Sequence, residues 1–212
     1  MTSTCFAAET EDIESSAHEV HLLQNTEEDA AQSATSHIKL AVVPYFNASD
    51  ETRGFETRGY VGKTVDAGYT NYFSELGYQV VPAEETQAAL DKTGYTTDDE
   101  ELPEKEQLAA VANATGADYV VAMMIDEIHA TEHASVFQLK ITAKTRLAYQ
   151  VYAPKTDELY SFKATSHSDN KTVFGGVGPK TPIVKTLKSA MEKANDKIQT
   201  FISKRSNVEI TQ

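Results

Sequence analysis

The sequence predicts an α/β domain built on a single mixed sheet of about five strands, parallel in its N-terminal part and an antiparallel meander in its C-terminal part, with a long C-terminal helix. Three observations lead there. Two apolar runs rich in β-branched residues, Ile38–Tyr45 and Ala117–Ile125, are separated by helical sequence and are each too short to cross a membrane as a helix. Residues Val136–Tyr152 alternate, with Phe137, Leu139, Ile141, Ala143, Leu147, Tyr149 and Val151 on one parity and Gln138, Lys140, Thr142, Lys144, Arg146 and Gln150 on the other. That period belongs to a strand with one buried and one wet face. Finally, Ile183, Leu187, Met191, Ala194, Ile198 and Phe201 recur at the spacing of one helical stripe.

Taken in order, the first strand covers about 38–46 and is followed by a loop, Asn47–Gly59, with turn formers and two glycines. From Val61 the apolar positions become Val61, Val65, Tyr69, Tyr72 and Leu76, the stripe of an amphipathic helix, and Gly77 follows where a left-handed cap is wanted. Tyr78–Pro82 reads as a short strand and Ala83–Leu90 as a short helix. The acidic segment Thr96–Glu106 leads into a helix with Leu108, Val111 and Ala112 inward, closed by Gly116. A strand over Asp118–Ile128 then reaches a turn around Ala130–Glu132, the alternating strand, a turn at Ala153–Asp157 and a strand Glu158–Ser168 with Tyr160, Phe162 and Ala164 inward. Thr181 caps the last helix and Pro182 suits its first turn. The order β-α-β-α-α-β-β-β-α gives two parallel crossovers and then a meander. Helices are expected on one face only, with the polar sides of the last two strands towards water.

The net charge is −13, but residues 1–36 hold eight acids and no Lys or Arg, leaving about −5 on the rest. The domain organisation follows: an acidic N-terminal tail over 1–36, a domain over 37–205 and a short tail over 206–212. An acidic chain repels phosphate backbones, so nucleic acid is not an expected partner. Cys5 is the single cysteine, which excludes an internal disulfide or a multi-thiolate zinc site. No run approaches the roughly 20 apolar residues of a transmembrane helix. The first residues, with Ala7 and Ala8 ahead of an acidic tail, resemble the end of an incomplete secretory signal; an arbitrary disordered terminus is the alternative. Lipid attachment at Cys5 has a poor lead-in, Thr2-Ser3-Thr4.

Ile38–Phe46 with the following Asn47-Ala-Ser49, Glu75–Val81 and Ala114–Val121 together carry a resemblance over roughly 37–205. The chain resembles the α/β domain shared by the curli secretion channel subunit, the outer-membrane lipoprotein activator of penicillin-binding proteins and the N-terminal domain of the Tol–Pal β-propeller protein. These residues are structural punctuation. The resemblance therefore implies a fold, and beyond it an extracytoplasmic, lipoprotein-like protein of the periplasm or outer membrane that docks to protein partners and does no catalysis.

Each motif with chemical promise has a plainer counterpart. Gly59–Thr64 ends in Gly-Lys-Thr, but a phosphate-binding loop needs a glycine where Thr57 stands, so Lys63 and Thr64 are read as neighbours of the helix stripe. His129-Ala-Thr-Glu132-His133 matches a His-x-x-Glu-His pattern that needs a helix to bring both histidines to zinc. Here it falls between β-patterned runs, so His129 and His133 are at most an incidental metal pair meeting across a hairpin. Gly175-Gly176-Val177-Gly178 could form an anion nest before the last helix, or a plain connection. Residues 180–205 carry seven Lys or Arg and two acids, a basic ridge on an acidic molecule. The ridge is a solvated face or a docking surface for an acidic partner, this chain's own N-terminal tail included. A pore-forming hairpin from the long strand lacks an aromatic girdle, and no Gly-x-Ser-x-Gly elbow is present.

The expectation is a non-catalytic envelope docking or assembly module without a cofactor. Its partner surfaces are Lys140, Lys144, Arg146 and Gln150 on the exposed sheet face, and Gly175, Gly176, Lys185 and Lys188 at the glycine loop and basic helix. Self-association into a homo-oligomer is compatible with it. Two rival classes remain: a ligand- or metal-binding protein or enzyme using His129–His133 or Gly175–Gly178, and a subunit of an outer-membrane secretion channel.

Overall fold

The computed structural model describes residues 37–49, 55–96, 101–134, 139–172 and 179–209. Residues 1–36, on which the reading of a secretory-signal end and Cys5 fall, the Gly175–Gly178 loop and the last three residues lie outside the described residues.

Among the described residues six strands form one mixed sheet. In chain order they are β1 (Lys39–Val42), β2 (Phe46–Asn47), β3 (Gln79–Val80), β4 (Tyr119–Ala134), β5 (Leu139–Ala153) and β6 (Glu158–Thr172). The spatial order is β3-β1-β4-β5-β6, with the two-residue β2 continuing along β4. β1 pairs parallel with β3 and β4, whereas β4, β5 and β6 are antiparallel. The helices are α1 (Phe55–Val65), α2 (Tyr72–Glu75), α3 (Ala83–Asp91), α4 (Lys105–Thr115) and α5 (Lys180–Glu209). The mixed α/β sheet with a long terminal helix is thus as the sequence reads.

Local chemistry sets the boundaries. Glu104 and Gln107 form a reciprocal capping box at the start of α4, and Gly116 closes it at φ 64°. Gly77 ends α2 at φ 86°. The turn from β5 to β6 is a single 3₁₀ turn, Pro154–Thr156, finished by Asp157 at φ 52°. α1 begins at Phe55, earlier than the apolar stripe suggests, and runs into a π-helical turn, Asp66–Thr70. The Asn71 amide donates to Asp66 O at 2.8 Å, one residue wider than an α-turn. That extra residue rotates the stripe, so Phe73 is buried and Tyr72 only half-buried. α5 starts at Lys180 rather than after a Thr181 cap, and it continues past residue 205 to Glu209.

Two expectations need correction. There is no turn at Ala130–Glu132, because β4 runs unbroken to Ala134 and pairs with β5 throughout. Helices also lie on both faces of the sheet. α1, α2 and α5 cover the inner face, burying Leu40, Val121, Met123, Leu147, Tyr149 and Val151 against Leu187, Met191 and Ile198. α3 and α4 cover the outer face over Ala41, Val43, Val120, Ala122 and Tyr152. The cause is legible once the sheet is assembled. Near β1 both parities are apolar, so both faces need cover, as in parallel sheets generally. The cover stops after Ala122, and beyond the half-buried Met124 the outer parity turns polar.

Candidate functional site

Two surfaces bring charge and exposed structure together. The first is the uncovered half of the outer sheet face. It is organised by a β-bulge: Ile125 faces Leu147 and Glu127 faces Arg146, so Asp126 is an extra residue in β4. Consecutive acids thereby reach the same basic neighbours. Arg146 Nε donates to Asp126 at 2.6 Å and Arg146 Nη1 approaches Glu127 at 3.1 Å. Lys144 pairs with Glu127 at 2.8 Å, Lys163 with Asp126 at 2.9 Å and Lys140 with Asp169 at 3.4 Å. Burial alone would raise the Asp126 carboxyl, but hydrogen bonds from Arg146 and Lys163 override it and hold it below the ordinary range. The hydrogen bond from Lys144 lowers Glu127 in the same way.

The bulge also explains Asn47-Ala-Ser49. Where β4 breaks register, the Ser49 hydroxyl stands in for a strand: it accepts the Ile128 amide at 3.0 Å and donates to Ile128 O at 3.2 Å. Asn47 Oδ1 in turn accepts the Ser49 amide at 3.0 Å.

The histidines sit on this face but not together. His129 and His133 lie on one strand, opposite Lys144 and Lys140 respectively. Residues four apart on a strand are separated by about 13 Å, too far to share an ion. Among the described residues no cluster of three or more His, Cys, Asp or Glu is arranged for a metal. Gly59, Gly62, Lys63 and Thr64 are interior to α1, where the Thr64 hydroxyl donates to Tyr60 O at 2.7 Å.

The second surface is a groove of about 440 Å³ between the start of β6 and the last turns of α5. Tyr160 and Phe201 stack on its floor with centroids 5.1 Å apart and planes 8° from parallel, and Phe162 packs against Tyr160 at 5.0 Å. Lys197 Nζ lies 5.1 Å above the Phe162 ring and the Arg205 guanidinium 3.6 Å from the Phe201 centroid. Arg205 is paired with Glu158. Lys197 and Lys204 line the groove with no carboxylate in salt-bridge range among the described residues, and Asp196 stands on the rim. Lys193, four residues before Lys197, extends the same stripe and donates to Thr165 O at 3.1 Å. β6 is the last strand of the sheet, so its outer backbone edge runs beside these lysines.

The sequence-derived surface residues are therefore divided. Lys140, Lys144, Arg146 and Gln150 share the outer face, with Lys140, Lys144 and Arg146 engaged by carboxylates of the chain itself. Lys185 and Lys188 are exposed on α5, which packs against the opposite face. Gly175 and Gly176 fall outside the described residues. The sequence reasoning missed the groove. Its signal was the 193/197/204 spacing, but which strand that stripe flanks is a tertiary fact.

The fold defines a class, the open mixed α/β sheet with a terminal helix laid across it. No protein-family model matches the chain, and no curated protein matches it in sequence. Among solved structures it is similar to lipoprotein GNA1162 from Neisseria meningitidis, at 17% identity and TM-score 0.44, covering 77% of this chain and 99% of that one. It is similar to the LpoB C-terminal domain from Salmonella enterica, at 16% identity and TM-score 0.32, covering 62% and 83%. It is also similar to the hypothetical protein CT253 from Chlamydia trachomatis, at 11% identity and TM-score 0.44, covering 76% and 95%. Likeness at this level assigns neither an activity nor a partner to the chain.

Proposed function

We propose that this chain is a non-catalytic docking module of the bacterial envelope that binds an acidic, extended protein segment in the groove between β6 and α5. The envelope setting rests on the resemblance carried by Ile38–Ser49, Glu75–Val81 and Ala114–Val121. The docking mode rests on one observation: a 15-residue edge strand runs beside an aromatic floor and lysines that no carboxylate of the described chain neutralises. A strand edge offers unpaired backbone groups, aromatics offer area, and unpaired cations select acidic side chains. The groove is favoured over the outer sheet face because Lys144 and Arg146 there are already neutralised by Glu127 and Asp126.

The test is a titration of the full chain with an extended acidic peptide and with its lysine-substituted counterpart, followed by NMR. The acidic peptide should shift amides of Glu158–Lys163 and Lys197–Arg205, and Lys197→Glu with Lys204→Glu should abolish the response. Shifts confined to the outer sheet face, or equal responses to both peptides, would refute the docking mode. Fractionation of cells expressing the protein from its own gene tests the compartment; recovery in the cytoplasm counts against it.

A further inference from the structure

The groove lies at the end of the sheet where the described chain begins. Ala41 pairs with Val120, Val120 with Tyr152, and Tyr152 with Leu159, so these four residues form one transverse row. Three inter-strand steps separate Ala41 from Leu159, about 14 Å. β1 therefore starts at the same end of the sheet as β6 and the groove, three strands across. Asp29 precedes His37 by eight residues, a span of up to about 26–29 Å when extended. That reach exceeds the distance to be crossed.

The charges match as well. Residues Glu9–Asp29 carry eight acids and no Lys or Arg. Lys193, Lys197 and Lys204 form one stripe beside the β6 edge, and among the described residues no carboxylate is in salt-bridge range of any of the three. Apolar side chains interleave the acids at Ile13, Val20, Leu22 and Leu23, suited to the half-buried Tyr160 and Phe162. Linkage within one chain also raises the effective concentration of the segment into the millimolar range, so weak contacts suffice.

From the shared row, the reach and the charge match, we infer that the acidic segment Glu9–Asp29 of this same chain occupies the β6–α5 groove and must leave it before a partner segment can bind. The inference rests on the groove reading above and adds its regulation: the tail is a built-in competitor.

The experiment uses the full chain. A nitroxide is placed on Ser15→Cys in a Cys5→Ser background, and the protein is isotope-labelled for NMR. Amides over Glu158–Lys163 and Lys197–Arg205 should broaden, the effect should persist on dilution, and it should vanish at high salt or with Lys197→Glu and Lys204→Glu. In a second arm a synthetic Glu9–Asp29 peptide is titrated into the full chain and into a variant with all eight tail acids changed to amides. Removing the competitor should tighten binding by roughly tenfold or more. Absence of broadening while the free peptide still shifts groove amides overturns self-docking and leaves the groove reading standing. Broadening only between copies, seen when label and isotope are on different molecules, also overturns it. No response of the groove to the peptide in either protein overturns both.

Discussion

Two tyrosines in the inner core offer a sharp test because the same substitution should act with opposite sign. Tyr69 and Tyr149 are both fully buried and meet edge to face with centroids 6.1 Å apart. The Tyr69 hydroxyl shares its one proton between Val43 O at 2.8 Å and Val121 O at 3.0 Å, satisfying a carbonyl just past the end of β1. The Tyr149 hydroxyl has no hydrogen-bond partner among the described residues, and burial pushes its ionisation far above the ordinary tyrosine range. Tyr69→Phe loses a bond and orphans a buried acceptor, a cost of about 1.5–3 kcal/mol. Tyr149→Phe removes an unsatisfied buried hydroxyl while keeping the ring stacked on Phe162, a gain of about 1 kcal/mol. On a domain of this size each kcal/mol shifts Tm by about 2–4 °C. Tyr69→Phe should therefore melt about 3–12 °C lower and Tyr149→Phe about 2–4 °C higher, with unchanged urea m-values showing that neither unfolded state has altered. A Tyr149→Phe protein destabilised as much as Tyr69→Phe would refute this account of the core.

Three further outcomes follow from local geometry. Gly116→Ala should cost about 1 kcal/mol in thermal unfolding, because the residue holds φ 64° and an added Cβ would meet only Lys39 Nζ at an ordinary 3.9 Å, so the penalty is backbone strain without a clash; Asn at 116 should recover part of it. The Asp126 carboxyl is held below its ordinary range, so its contribution is complete above the unfolded value of about 4 and is lost as pH falls through the depressed native value. Asp126→Asn should cost about 1 kcal/mol at pH 7 and flatten that part of the acid limb of a stability–pH profile; an unchanged acid limb would remove Asp126 from it. Ser49→Ala should destabilise by about 1–3 kcal/mol by leaving the Ile128 amide and carbonyl unpaired at the bulge, with faster hydrogen exchange concentrated at Asp126–Ile128.

The spacing Ile125–Ile128, three apart yet both buried on the inner face, is the trace of the bulge. Its consequence, Asp126 and Glu127 converging on Arg146, depends on the partner strand and could not be read locally. The His129–His133 segment shows the same limit. Its histidines and glutamate looked like a turn, yet pairing with Lys140–Lys144 extends β4 through it, because a ladder to a strongly alternating neighbour outweighs weak local preference.

Apart from the His129–Ala134 stretch and the start of α1, periodicity, glycine placement and capping residues determined by themselves which segments became helix or strand and that the strands would form one mixed sheet, because those choices are made by backbone sterics and by which side chains must leave water. Tertiary structure alone decided that helices cover both faces near β1, that Lys144 and Arg146 are neutralised from within, and that Lys193, Lys197 and Lys204 line the open edge of β6. Those facts depend on which surfaces meet across the sheet, and the distance between two residues along a chain carries almost no information about that.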